Sequence, residues 1–350
     1  CQPAAVDTPV TEPLASGVET TGMNRNIAPQ EDFFQYANGA WLASTEIPAD
    51  KSTWGSFSLL REQAKHDIQT IVTQLPPAAA ASPSQQTIAN FYRSFMGEER
   101  IEQLGLKPIQ KQLTELGNIE THRQLGTAFA RASTMGYSSP FDFWVGQDAK
   151  DPGVYTVYFT QSGLGLPDRE YYSDDSERGQ KIRESYLLYI EKLLNQANVE
   201  NAARAADDIL SLEMRLASAQ WSRVDNRDRD KTYNRVTTMQ LKAINTGVDW
   251  NDYLQLTGTS VIDNFIVRQP SYLSKLGAIV QNTDINDWRV YLQFHLLNRY
   301  ASYLSQPFND AKFDFYGRTL SGVPEQEPRW QRAVTSMNGG MGELLGQLYV

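Results

Sequence analysis

Cysteine is nearly absent: the only one in these 350 residues is Cys1. A single thiol can form no internal disulfide, so stability has to come from packing whatever the compartment. Histidine is scarce as well. His66, His122 and His295 are the whole supply, and no two could share a helical turn, whereas a helical zinc site needs two histidines four positions apart. The histidines therefore offer no zinc site of their own. No apolar run reaches the roughly 18 to 20 residues that span a bilayer. The net charge is −9 with no stripe of Lys and Arg, which argues against nucleic acid as a partner.

What is there is a chain with 41% apolar residues, enough to bury a sizeable core as one large domain or two. Its dominant period is helical. Between Trp54 and Leu75, the residues Phe57, Leu60, Ala64, Ile68, Ile71 and Leu75 recur every three or four positions and predict one buried helical face. Ser52 or Ser56 would cap that helix and Pro76-Pro77 would stop it. The Ala/Pro/Ser stretch 76–84 is the best internal boundary. Helical patterns resume around Ile88 to Phe95, Leu106 to Leu116 and His122 to Met135, then over 176–196, 200–221, 284–304 and 327–348. One stretch changes period. Phe141, Phe143 and Val145, then Tyr155, Val157 and Phe159, alternate around Asp151-Pro152-Gly153, which predicts a β-hairpin. The fold class is mainly α with a small β-hairpin.

Local patterns advertise little chemistry. His295 falls between Leu292 and Leu296 on an apolar stripe and reads as a core histidine, while His66 follows Lys65 on a polar face and reads as solvated. Gly163-Leu164-Gly165 lacks the third glycine and the helix start of a phosphate loop, so it reads as a tight turn. Asp207-Asp208 and the pair Glu325 and Glu327 read as solvated helix charges. Cys1, in a tail rich in Pro, Thr, Ser and Gly, has no base held beside it to make it a nucleophile.

The start of the chain resembles a bacterial lipoprotein after its signal peptide is removed: Cys1 first, then Gln2-Pro3-Ala4-Ala5 and a polar tail to about residue 28. That resemblance implies lipid on Cys1, a flexible tether over 1–28, and a periplasm-facing place in the bacterial cell envelope. Two or three acyl chains, at about 0.8 kcal/mol per CH2 buried, would hold a soluble domain to a membrane. The competing reading is a numbering that merely happens to begin at cysteine.

Two runs carry a stronger resemblance: Asp32-Phe33-Phe34-Gln35-Tyr36-Ala37-Asn38-Gly39-Ala40-Trp41, and Gln161-Ser162-Gly163-Leu164-Gly165-Leu166-Pro167-Asp168-Arg169-Glu170-Tyr171-Tyr172. Both resemble signature segments of the neprilysin and endothelin-converting-enzyme family of zinc metallopeptidases. Ile47-Pro48-Ala49-Asp50-Lys51-Ser52-Thr53-Trp54-Gly55-Ser56-Phe57 with Leu60-Arg61-Glu62 is similar to the family's next block. Arg227-Asp228, Lys231-Thr232-Tyr233-Asn234 and Asp249-Trp250 resemble its middle, and Phe313-Asp314-Phe315-Tyr316, Leu320-Ser321-Gly322, Pro328-Arg329-Trp330 and Gly342-Glu343-Leu344-Leu345 the approach to its catalytic half. The resemblance spans nearly all of 29–350.

The family implies a two-lobed, mainly helical enzyme in which a zinc-activated water cuts peptides of limited size. By that resemblance this chain is the N-terminal part, with 29–75 packing on the catalytic lobe, 76–330 forming a helical cap domain, and 331–350 returning toward the catalytic lobe. His-Glu-x-x-His, which holds the family's zinc, does not occur here, so the chain is expected to bind no zinc and to be inactive alone. Its expected partners are the C-terminal catalytic domain, peptide substrates, and the membrane through Cys1. Arg61 matches a position where some members bind the free carboxylate of short substrates, a task a guanidinium fork suits; it could instead pair with a neighbouring acid. Trp41, Trp54, Asp168, Arg169 and Tyr172 are expected to be structural. Val350 falls inside a helical pattern with no stop signal, which favours a separated N-terminal part. The alternative is a noncatalytic lipoprotein that binds peptides or a partner.

Overall fold

The structure, a computed structural model, describes residues 20–77 and 80–350. Residues 1–19, Cys1 among them, lie outside these. Residues 20–28, expected as tether, instead fold back on the first helix, α1 (Phe33–Ser44): Ala40 N–H donates to Gly22 O, and Asn24 N–H to Tyr36 O. Asp32 caps α1 by accepting Gln35 N–H.

Helix α2 (Ser56–Thr73) begins after Gly55, which offers no side-chain cap, so neither Ser52 nor Ser56 serves as one. Helix α3 (Pro83–Met96) carries a full capping box from Ser82 and Gln85, with proline at its first position. Then follow α4 (Glu98–Leu104), α5 (Gln110–Gly117) and α6 (His122–Met135). Thr121 and Gln124 box the start of α6, and Gly136 closes it at φ 72°, where a side chain would be strained.

The expected hairpin is present as β1 (Phe141–Gln147) and β2 (Tyr155–Gln161), antiparallel with Phe141 opposite Gln161. After it come α7 (Glu170–Ser173), α8 (Glu177–Gln196), α9 (Ala202–Ala219) and α10 (Arg223–Arg227). Next are β3 (Asn234–Thr237), α11 (Thr238–Ala243), α12 (Trp250–Leu256) and β4 (Asn264–Val267). The hairpin is thus half of a four-stranded sheet ordered β1-β2-β4-β3, in which β4 runs parallel to β2 and pairs Val267 with Phe159. At four residues each, β3 and β4 are too short to show an alternation. The chain ends with α13 (Pro270–Gln281), α14 (Ile285–Tyr300), α15 (Gln306–Lys312), a π-helical run Phe313–Leu320, and α16 (Arg329–Tyr349), kinked at Met341.

Two cores result. The larger gathers Phe129, Phe141, Phe159, Tyr186, Trp288 and Tyr291 between the sheet and helices α5 to α15. The smaller joins Val72 of α2, Ile88 of α3, and Val334, Met337 and Leu345 of α16. The connector 76–84 therefore joins two helices, α2 and α3, that both pack on α16.

Candidate functional site

The stripe expected to bury one face of α2 is buried only toward its C-terminal end. Val72 lies in the small core with Ile68 and Leu75 against it, whereas Phe57 is 83% and Leu60 67% exposed. Helix α3 packs on the C-terminal half of α2, and α16 reaches further back, where Gln331 Nε2 donates to Glu62 Oε2 at 2.8 Å. Phe33 and Phe34 on α1 are exposed as well, and α1 packs on the 20–27 turns and little else. Four large apolar side chains thus stand bare on the first two helices, Phe33 and Phe34 on α1 and Phe57 and Leu60 on α2.

Arg61 sits on the same helix, exposed, and makes no hydrogen bond or ion pair among the described residues. The acid beside it is otherwise engaged: Glu62 Oε1 is 3.2 Å from Lys51 Nζ and 3.3 Å from Lys65 Nζ. Glu327 completes this cluster at 2.7 Å from Lys51 and 2.8 Å from Lys65, so it is a half-buried cross-link and not the solvated charge expected. Burial works against the charged form of Lys51, but hydrogen bonds to Glu327, Asp50 and Glu62 outweigh it and push the pKa up. Burial would raise Glu327, and hydrogen bonds from Lys51 and Lys65 hold it below the usual range. The cluster ties the 50–51 loop and α2 to the start of α16. Beside it, Ser58 and Arg61 face Phe313, Gly317, Val323 and Thr335 across a cavity of about 440 Å³, large enough for a few peptide atoms. Gly317 is needed there, since a Cβ would come within 2.3 Å of the Phe313 ring.

The Gly163-to-Tyr172 segment is held by buried hydroxyls. Tyr172 Oη accepts from Gly165 N–H at 3.1 Å and Leu166 N–H at 3.0 Å, and donates to Glu213 Oε2 at 2.6 Å. Tyr291 and Tyr316 donate to the carbonyls of Gly163 and Gly165, each at 2.8 Å. Gly163 has φ 94°, and a Cβ on Gly165 would lie 1.7 Å from Tyr186 Oη. The glycines are there for close approach. Burial, then the Glu213 charge, pushes the Tyr172 phenol well up. Glu213, fully buried on α9, carries no motif, but an acid beside Leu212 on the apolar stripe of Ile209 and Leu216 is a signal that could have been read.

The three histidines stay apart. His295 is buried with Nε2 2.9 Å from Glu213 Oε1 at an angle too poor for a hydrogen bond. His122 Nε2 is 3.0 Å from Thr283 O, and the exposed His66 ring lies 4.7 Å from Trp330. Among the described residues no three His, Cys, Asp or Glu lie together to hold a metal. The donor set of the described residues does not fit zinc.

Residues 29–350 match the model of Peptidase family M13. The chain belongs to that family. Endothelin-converting enzyme 1 of Cavia porcellus is 30% identical over 346 residues, covering 94% of this chain and 45% of the enzyme, and the Rattus norvegicus enzyme is 28% identical with 94% and 44% covered. Among solved structures, Mycobacterium tuberculosis zinc metalloprotease Zmp1 in complex with an inhibitor superposes with a TM-score of 0.90 at 32% identity, over 96% of this chain and 52% of that one. PepO of Lactobacillus rhamnosis shares the fold at a TM-score of 0.79 and 19% identity, over 92% and 51%. The M13 chain described here spans about half the length of these relatives. It is similar to the N-terminal, helical region of M13 peptidases, as the sequence blocks imply.

Proposed function

We propose that this chain is the N-terminal, noncatalytic portion of a cell-envelope zinc metalloendopeptidase that cleaves peptides of limited size. The exposed apolar side chains Phe33 and Phe34 on α1 and Phe57 and Leu60 on α2 carry the reading. Exposed apolar side chains beside an arginine that is unpaired among the described residues, in a chain half the length of its relatives, are what a second, catalytic part would cover. Burying each of these side chains contributes about 1.5 to 3 kcal/mol, so the two parts would hold together firmly. Units 29–75 and 331–350 serve as the seat for that part and 76–330 as the cap that limits substrate size, with α3 bridging them.

Zinc would be held by residues of the catalytic part, where it would activate a water. Arg61 contributes a fork for the free carboxylate of a short peptide, and among the described residues nothing takes up its five donors. Lipid on Cys1 would anchor the enzyme to the bacterial envelope, facing the periplasm. The test is cleavage of short peptides by the full-length, zinc-loaded protein. Cleavage abolished by a chelator, with residues 1–350 alone inactive even in added zinc, supports the reading; peptide binding without cleavage by the full-length protein would support a noncatalytic binding protein instead.

A further inference from the structure

A second cleft lies well away in sequence from Arg61. The Gly163–Arg169 loop, the start of α10 and the end of β4 enclose about 340 Å³, and Arg169, Arg223 and Arg268 all line it. Three guanidinium groups in one cleft are unexpected in a chain of net charge −9. Each carries five N–H donors, and internal partners use few of them. Arg169 donates to Gln220 O, Arg223 pairs with Asp168 Oδ2 at 3.1 Å, and Arg268 donates to Asn226 O at a long 3.4 Å with its guanidinium over the Trp144 ring. Asp168 is the one carboxylate of the lining, and it is already shared with Glu170 N–H at 2.9 Å.

The floor is rigid. Gln269, 2% exposed, accepts Gln161 N–H at 2.9 Å, and Gln220 donates to Ser162 O at 2.7 Å. These bonds hold β2, α9 and α13 together beneath the arginines, so donors are displayed on a scaffold that need not rearrange. A donor-rich cleft with a surplus of positive charge suits a carboxylate, which planar guanidinium groups grip bidentately.

We propose that this cleft binds the side-chain carboxylate of an acidic residue in a peptide and biases the enzyme toward acidic peptides. Naming a peptide as carrier rests on the peptidase reading above; the anion preference of the cleft does not. The experiment uses the full-length protein with chelator present, so that nothing is cut, and a fluorescein-labelled tetraglutamate probe read by anisotropy. Arg223→Ala and Arg268→Ala should each weaken binding about tenfold or more, Arg223→Lys should restore part of it, and a tetra-alanine probe of the same length should respond to none of these variants. Arg223 is an exposed side chain, so its removal leaves the fold intact, which thermal melting checks. Unchanged tetraglutamate affinity in both alanine variants overturns the proposal, as does equal loss for tetra-alanine. If the peptidase reading alone fails, the zinc-loaded protein cuts no peptide while the arginine-dependent binding persists.

Discussion

Tyr172 donates a 2.6 Å hydrogen bond to the fully buried carboxylate of Glu213 while accepting two backbone N–H groups of the loop before it. One hydroxyl therefore joins a motif-bearing loop to the centre of α9. Tyr172→Phe leaves a buried acid with one donor fewer and two amides unsatisfied, so it should destabilise the chain by about 2 to 4 kcal/mol. Urea unfolding of the variant against the parent checks this, and a change below about 0.5 kcal/mol would show that the network carries no stability.

Gly165→Ala should be more severe than an ordinary loop substitution. Its Cβ would meet Tyr186 Oη at 1.7 Å, and behind the oxygen the ring carbon lies at 2.7 Å. Overpacking of this kind costs about 1 to 3 kcal/mol or more, and Tyr186→Phe should recover only part of it, since the ring carbon stays in place. The melting temperatures of the single and double variants decide the matter.

Stability should rise with pH above neutrality because of one lysine. Burial, with Arg299 nearby, lowers the Lys312 pKa to about 8, so between that value and the ordinary lysine range near 10.4 the unfolded chain binds more protons than the folded one. Folding is disfavoured below pH 8 and recovers as pH climbs through the window, until tyrosines held protonated by burial, such as Tyr186 and Tyr291, reverse the trend above about pH 10. Lys312→Met should flatten the rise, read as the difference in urea midpoint between pH 8 and pH 9.5.

Acid should loosen the link between α2 and α16. Glu327 is held below its ordinary pKa in the folded chain, so its contribution is present above the unfolded value and is lost as pH falls through the folded one. Glu327→Gln should cost about 1 to 3 kcal/mol near pH 7, discounted for its partial exposure, and reduce the loss of stability below about pH 4.5. Parallel acid titrations of the two proteins by circular dichroism would show it.

Much of the fold was legible because local chemistry agreed with it. Helix α6 runs from His122 to Met135 as its pattern implies, with Thr121, Gln124 and Gly136 marking both ends, and the alternation over Phe141 to Phe159 does form a hairpin. What stayed hidden depends on distance in the chain. Strand β4 is recognisable only beside β2, Glu327 becomes a cross-link only when Lys51 and Lys65 reach it, and the three cleft arginines come from positions 169, 223 and 268. The α2 stripe misled for a different reason: periodicity reports which face is apolar, and half of that face has no partner among the described residues. Arg61 was placed by resemblance, and the structure adds that its acidic neighbour Glu62 is committed to two lysines.

The most direct test of the central claim is hydroxyl-radical footprinting of Phe33, Phe34, Phe57 and Leu60 in this chain and in the full-length protein. The account predicts rapid oxidation of all four in residues 1–350 and at least tenfold protection in the full-length protein, where the catalytic part would cover them. Equal oxidation in both would contradict it, because these side chains would then form no seat for a second half.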